Sequence, residues 1–162
     1  LDDFKSVNDT LGHAMGDELL RSVASAIRGA TRPSDLAVRL AGDEFGVLIE
    51  DGRDLAAIIR VAERIIESVR RPVEIEGHWL SASASIGIAT ARRARQSADD
   101  LLRDADLAMY AAKGRGKGRF ALFDPALRAE IMERQALREH RQQQALVEFR
   151  QVWLRFYRTL PG

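Results

Sequence analysis

Two adjacent carboxylates, Asp43 and Glu44, follow a glycine in the stretch Arg39-Leu40-Ala41-Gly42-Asp43-Glu44-Phe45-Gly46-Val47-Leu48-Ile49-Glu50. Carboxylate oxygens suit a hard cation, and the missing side chain at Gly42 lets phosphate oxygens approach the backbone. A second chemistry-bearing stretch is Lys113-Gly114-Arg115-Gly116-Lys117-Gly118-Arg119, where basic residues alternate with glycine. A third is the opening, Leu1-Asp2-Asp3-Phe4-Lys5. Two acidic segments and one basic glycine-rich loop, all at strand ends, can bind a magnesium triphosphate: the acids take the cation and the Lys and Arg side chains take the terminal phosphates. There is no P-loop pattern, which sets the chain outside that class of nucleotide fold. Plainer readings stand beside these. Asp43 and Glu44 also fit a solvated hairpin turn, residues 113–119 a glycine-capped helix exit, and Asp17 a complement to a helix N-terminus.

The elements that must position these groups follow from periodicity. Apolar runs on either side of Gly42 predict a hairpin with Asp43 and Glu44 at its tip. Leu1 to Phe4 reads as the tail of a strand, and Lys5 to Asp9 as a loop or first helical turn. From Met15, the spacing of Leu19, Leu20, Val23, Ala24 and Ile27 predicts an amphipathic helix ending near Gly29, with Asp17 and Glu18 in its first turn. A second helix carries Leu55, Ile58, Ile59, Ala62, Ile65, Ile66 and Val69 and stops before Pro72. Alternation from Val73 to Ile88 predicts two half-buried strands joined by a turn. A third helix spans about Ser97 to Lys113, with Leu101, Leu102, Ala105, Ala108 and Met109 inward, and a strand follows at Phe120 to Phe123. The expected fold class is α+β, an antiparallel-leaning sheet with helices packed on it. From Pro125 to about Phe149 glycine and proline vanish and helical spacing takes over, which reads as a linker helix.

Composition narrows the function classes. The 162 residues allow one domain with a proper core plus a modest extension. Charged residues make up 30% yet cancel to +1, so no field of one sign points to nucleic acid or a membrane. With no cysteine and three scattered histidines, His13, His78 and His140, any metal is expected to be hard and oxygen-bound. No apolar run approaches the roughly 20 residues of a membrane span, and a soluble, cytoplasmic segment is expected. The start on Leu1 without methionine reads as a fragment of something longer, which could be membrane-anchored upstream.

The runs Leu1-Asp2-Asp3-Phe4-Lys5-Ser6-Val7-Asn8-Asp9-Thr10-Leu11-Gly12-His13-Ala14-Met15-Gly16-Asp17-Glu18-Leu19-Leu20 and Arg39 to Phe45 resemble the GGDEF domain of diguanylate cyclases. Ser85-Ile86-Gly87-Ile88-Ala89 and Ala105 to Lys113 add to the resemblance, which covers roughly Leu1 to Phe123. It implies a fold similar to nucleotidyl cyclases and polymerase palms that condenses two GTP into cyclic di-GMP as a homodimer, with Mg2+, or alternatively Mn2+, as cofactor. By the same resemblance Asp43 is a metal ligand and base, Glu44 a further acid of the site, the Leu1 carbonyl a second metal ligand, and Lys5 a transition-state stabiliser. Asn8, His13 and Asp17 match the guanine pocket, Gly42 the close backbone approach, and Lys113 and Lys117 the terminal-phosphate contacts. Arg32-Pro33-Ser34-Asp35 resembles the family's inhibitory RxxD site for product, with Arg39 and Arg64 as candidates to complete it.

The chain departs from the family pattern at three places. Ala41 stands for the first signature glycine and Lys117 for a usual Arg, which keeps charge but loses the bidentate fork. The family's metal-binding Asp immediately precedes the residue matching Leu1. The expected layout is a cyclase domain at 1–124, a linker helix at 125–148, and at 149–162 the start of a following domain that weakly resembles an EAL phosphodiesterase. The rival reading is a catalytically inactive GGDEF module that binds GTP or cyclic di-GMP and regulates a neighbouring domain. A nucleic-acid-binding module is a remote third, since only Phe120 lies near the basic loop to stack on a base.

Overall fold

The computed structural model describes residues 1–50, 54–91 and 96–130. Among the residues of 1–123 so described, the elements follow in the order α1 (Phe4–Leu11), α2 (His13–Ala30), β1 (Leu36–Ala41), β2 (Glu44–Leu48), α3 (Leu55–Arg70), β3 (Val73–Ile75), β4 (His78–Leu80), β5 (Ile86–Ile88), α4 (Ala98–Gly114) and β6 (Phe120–Leu122). Leu1–Phe123 and Asp124–Gly162 form two compact units. In the second, residues 125–130 are helical. The rest of the expected linker helix and the expected domain start at 149–162 lie outside the described residues.

The core of the first unit is the apolar stripe of α2 against that of α3. Met15, Leu19, Val23 and Ile27 meet Val61, Ile65 and Val69, with Ile75 and Ala84 closing the cluster. Each such aliphatic side chain contributes about 1.5–3 kcal/mol on burial. Phe4, Val7 and Leu11 of α1 pack on its edge. Among the described residues no helix is long and apolar enough to cross a membrane.

Several expectations are corrected. Leu1 to Phe4 is not a strand: Asp2 makes one isolated bridge to Ser83, and Asp3, at φ 56°, turns the chain straight into α1. Asn8 therefore rides on a helix. α2 starts at His13, because Gly12 at φ 85° separates it from α1, so Asp17 lies beyond its first turn. Strands β1–β2 and β3–β4 are antiparallel hairpins, but β5 pairs with β6 in parallel, across α4. The alternating stretch from Val73 thus breaks after the β3–β4 hairpin, whose Glu76-Gly77 turn has positive φ at both residues. Among the described residues the strands form three two-stranded sheets.

Helix α4 opens with a capping box between Ser97 and Asp100. Its buried face is Asp104, Ala108, Ala111 and Ala112, while Leu102, expected inward, is 53% exposed. Small residues replace large ones there because the helix sits directly on Gly87 of β5. A methyl group at Gly87 would fall 1.8 Å from the Ala105 carbonyl oxygen and 2.4 Å from the Met109 nitrogen.

Candidate functional site

The β1–β2 hairpin carries the acidic tip. Its register runs Arg39↔Phe45 and then Ala41↔Glu44, so Leu40 is an extra residue that bends the strand just before the turn. Gly42 takes φ +50° with nothing within 4 Å of a built Cβ, whereas Ala41 is not among the residues with positive φ. The alanine therefore sits where an L-residue is unstrained, and Gly42 occupies the position that needs glycine. Arg39 donates from Nε to the Gly42 carbonyl at 2.7 Å and so braces the turn.

The three segments singled out in the sequence converge. The Leu1 amino group donates to the Asp43 carbonyl at 2.7 Å and lies 3.3 Å from Asp43 Oδ2, on a carboxylate whose side chain is 36% exposed. The next residue faces the basic loop. Asp2 accepts from Ser85 Oγ at 2.8 Å, Ser83 Oγ at 3.0 Å and the Gly118 N–H at 3.1 Å. Burial pushes its carboxyl up, but the bonds from Ser85, the Gly118 amide and Ser83, with attraction from Lys113, together hold it below its ordinary value. Asp3 accepts from Lys117 Nζ at 2.7 Å. That hydrogen bond, more than the charge pairing, raises the Lys117 pKa against an opposing desolvation. Asp2 and Asp3 are thus engaged by hydroxyls, an amide and a lysine, while the partly exposed Asp43 carboxylate stands against the Leu1 amino group.

A cavity of about 380 Å³ opens between α2 and the hairpin, lined among others by Asp17, Leu20, Arg21, Arg28, Arg39 and Phe45. It falls within the ~300–1,000 Å³ range of small-molecule clefts. Asn8 Oδ1 is buried without a hydrogen-bond partner, and it lies 1.9 Å from where a Cβ on Gly16 would be. An orphaned buried acceptor next to Asp17's own helical turn is a costly feature that a bound donor would relieve. His13 and Lys5 are exposed, on α2 and α1.

The Arg32 to Asp35 turn closes on itself: the Arg32 N–H donates to Asp35 Oδ2 at 2.8 Å and the Asp35 N–H to the Arg32 carbonyl at 3.0 Å. Arg64 donates from Nε to the Ala30 carbonyl at 2.9 Å, and from Nη2 to the same oxygen, which places it beside the start of that turn. Arg39, grouped with these residues from sequence, lines the Asp17 cavity. Sequence reading gave no role to Ser83, Ser85 or Arg70, although Arg70 Nη2 donates to the Gly118 carbonyl at 2.6 Å. Ser85 falls in a stretch that carries the family resemblance, but no local pattern gives any of the three its partner, which is 48 to 83 positions away.

The mixed helix and strand fold, with an acidic hairpin tip and a basic loop that both touch the opening segment, is that of a palm-like nucleotidyl cyclase domain. The sequence profile described as "Diguanylate cyclase, GGDEF domain" matches residues 1–119, and the chain belongs to this family. It is 41% identical over 156 residues to the bifunctional diguanylate cyclase/cyclic di-GMP phosphodiesterase MucR of Pseudomonas aeruginosa, covering 96% of this chain and 22% of that protein. The diguanylate cyclase TpbB of the same species is 45% identical over 82% of this chain, which spans 31% of that relative. The chain therefore spans less than a third of the length of either relative. The solved GGDEF domain of TpbB superposes with a TM-score of 0.77 at 41% identity, covering 81% of this chain and 77% of that one. The GGDEF domain of DgcB from Caulobacter crescentus, solved in complex with c-di-GMP, gives a TM-score of 0.68 at 31% identity, covering 76% and 71%.

Proposed function

We propose that this domain is a diguanylate cyclase, condensing two GTP into cyclic di-GMP and two pyrophosphates as a two-fold homodimer. The observation that carries the reading is the Asp17-lined cavity beside the Asp43 hairpin, with the buried, unpartnered Asn8 Oδ1 one helix away. The Asn8 carbonyl oxygen and the Asp17 carboxylate accept hydrogen bonds, which suits the N1–H and amino group of guanine. Lys113 and Lys117 donate to the terminal phosphates, and Lys5 adds positive charge as it builds on the transferred group. Asp43 takes the proton from the 3′-hydroxyl, whose oxygen bonds to the α-phosphorus of the facing GTP. The bond from that phosphorus to the β-phosphate oxygen breaks, and pyrophosphate leaves. Two such attacks close the ring.

Mg2+, or Mn2+, fits the oxygen donors present: the partly exposed Asp43 carboxylate, the backbone carbonyl of Leu1 and the substrate phosphates, the mode in which magnesium uses few protein ligands. Bound there, the cation would neutralise phosphate charge and polarise the attacked group. Glu44, paired opposite Ala41 on β2, adds negative charge to the same turn. Arg32 and Asp35, with Arg64 next to them, form the proposed inhibitory site for product, since an Arg fork suits guanine or phosphate. The substrate places the working location in the cytoplasm. Residues 1–124 form the cyclase domain of this proposal, and an EAL domain after residue 149 is its extension.

The alternative, a GGDEF module that binds GTP or cyclic di-GMP without turnover and regulates a neighbour, draws on Ala41, which stands where the family signature has its first glycine. One experiment separates the two. A chain extended upstream of Leu1 is incubated with GTP and Mg2+, and the products are resolved by chromatography. Cyclic dinucleotide that disappears in Asp43→Ala supports the cyclase, whereas no turnover with cyclic di-GMP binding lost in Arg32→Ala supports the regulatory module. Turnover that holds constant as product accumulates counts against the inhibitory role of Arg32 and Asp35.

A further inference from the structure

Gly118 is gripped through both of its backbone polar groups. Its N–H donates to Asp2 Oδ2 at 3.1 Å, and its carbonyl accepts from Arg70 Nη2 at 2.6 Å. The grip is tight on every side: Gly118 has φ +58°, and a built Cβ would lie 2.5 Å from Arg70 Nη2 and 2.9 Å from Ser83 Oγ. Asp2 is itself fixed before it meets the loop, because it is only 9% exposed and also accepts from Ser83 and Ser85. Next to Gly118, Lys117 holds a left-handed φ of 59° and sets its Nζ on Asp3.

We propose that Asp2 and Arg70 are positioning residues for the phosphate-binding loop, holding Gly118 through its N–H and its carbonyl so that Lys117 is set before nucleotide arrives. The proposal rests on the reading of residues 113–119 as that loop. Its physical basis is entropy. A segment with glycine at 114, 116 and 118 has wide conformational freedom, and fixing each residue costs about 1–2 kcal/mol. Without a prior anchor that cost falls on phosphate binding. Two hydrogen bonds to charged side chains, roughly twice as strong as neutral ones, meet it in advance. Arg70 comes from the last turn of α3 and Asp2 from the opening segment, so the loop is pinned to two parts of the fold that do not belong to it. Leu1, adjacent to Asp2, touches the Asp43 turn. The acidic tip and the basic loop are thereby set at a fixed spacing through one short segment.

The test uses Asp2→Asn and Arg70→Gln separately, with amide hydrogen exchange on residues 114–118 and calorimetric binding of two probes. The probes are guanosine and 3′-deoxy-GTP, which lacks the attacking hydroxyl. In each variant loop exchange is expected to rise about tenfold and 3′-deoxy-GTP to bind about tenfold more weakly, while guanosine stays within about twofold of the parent. Equal weakening of both probes would mean general loss of structure and overturn the positioning role. Unchanged exchange would overturn the grip itself. A parent chain that binds guanosine but gains nothing from the triphosphate overturns the phosphate-loop reading, and faster exchange in the variants would still register the grip. Arg70 is an exposed residue at a helix end, so its variant keeps the test open if Asp2→Asn fails to fold.

Discussion

At the scale of single residues, the site depends on groups whose surroundings leave no slack. Gly16 is one. A Cβ there would meet Asn8 Oδ1 at 1.9 Å, Asn8 Cγ at 3.0 Å and Phe4 Cζ at 3.2 Å. Gly16→Ala must therefore push Asn8 off its present rotamer. The expected result is a loss of about 1–3 kcal/mol in urea unfolding, together with guanosine binding weakened more than tenfold by about the worth of one hydrogen bond to a buried acceptor. Full guanosine affinity in this variant would remove Asn8 from the pocket. Asp2 supplies a second residue-scale prediction, this one in pH. Its folded pKa lies below the ordinary 3.8, so its stabilisation is complete above that value and is lost as pH falls through the folded one. The stability gap between the parent and Asp2→Asn should stay level from about pH 7 to pH 5 and shrink below about pH 4. A gap that instead grows on acidification would contradict the hydrogen-bonded carboxylate seen here.

At the scale of elements, legibility tracks how local the cause is. The β1–β2 hairpin and helices α2 to α4 were readable because apolar periodicity and turn residues act within a few positions. Asp43 and Glu44 at the tip came with them. What could not be read was the fate of Leu1 to Phe4, since one left-handed residue, Asp3, decides between strand and helix. Likewise β5 looks like part of an alternating hairpin until Phe120 pairs with Ile86 in parallel, a contact no short window contains. The inward face of α4 was misjudged at Leu102 for a related reason. Helix-to-strand distance is set by Gly87, which the α4 backbone at Ala105 and Met109 approaches directly. Gly87→Ala should force α4 off β5 and cost about 3 kcal/mol or more, because the obstructing atoms are backbone and cannot rotate away. Denaturant unfolding reads this directly, and a loss under about 0.5 kcal/mol, the scale of an ordinary surface substitution, would show that the close approach is not maintained in solution.

At the scale of the whole molecule, each protomer of the proposed cyclase has one guanine site and one acidic tip, while a cyclic dinucleotide needs two attacks in opposite directions. A two-fold pair meets that need with a self-complementary arrangement. Mixing tests this more sharply than dilution. When parent and Asp43→Ala chains are combined in equal amounts and assort at random, half of the dimers are mixed and the fully competent ones fall to about half the number formed by the parent alone. Cyclic product per parent chain is then expected to fall to about half. In a mixed dimer one tip can still take a proton and the other cannot, so one phosphodiester forms and the ring stays open. A linear dinucleotide retaining one triphosphate should therefore accumulate in the mixture and stay minor in the parent alone. Cyclic product in proportion to the parent chain, with no linear species, would mean that a single protomer performs both attacks, and the two-fold arrangement would have to be abandoned.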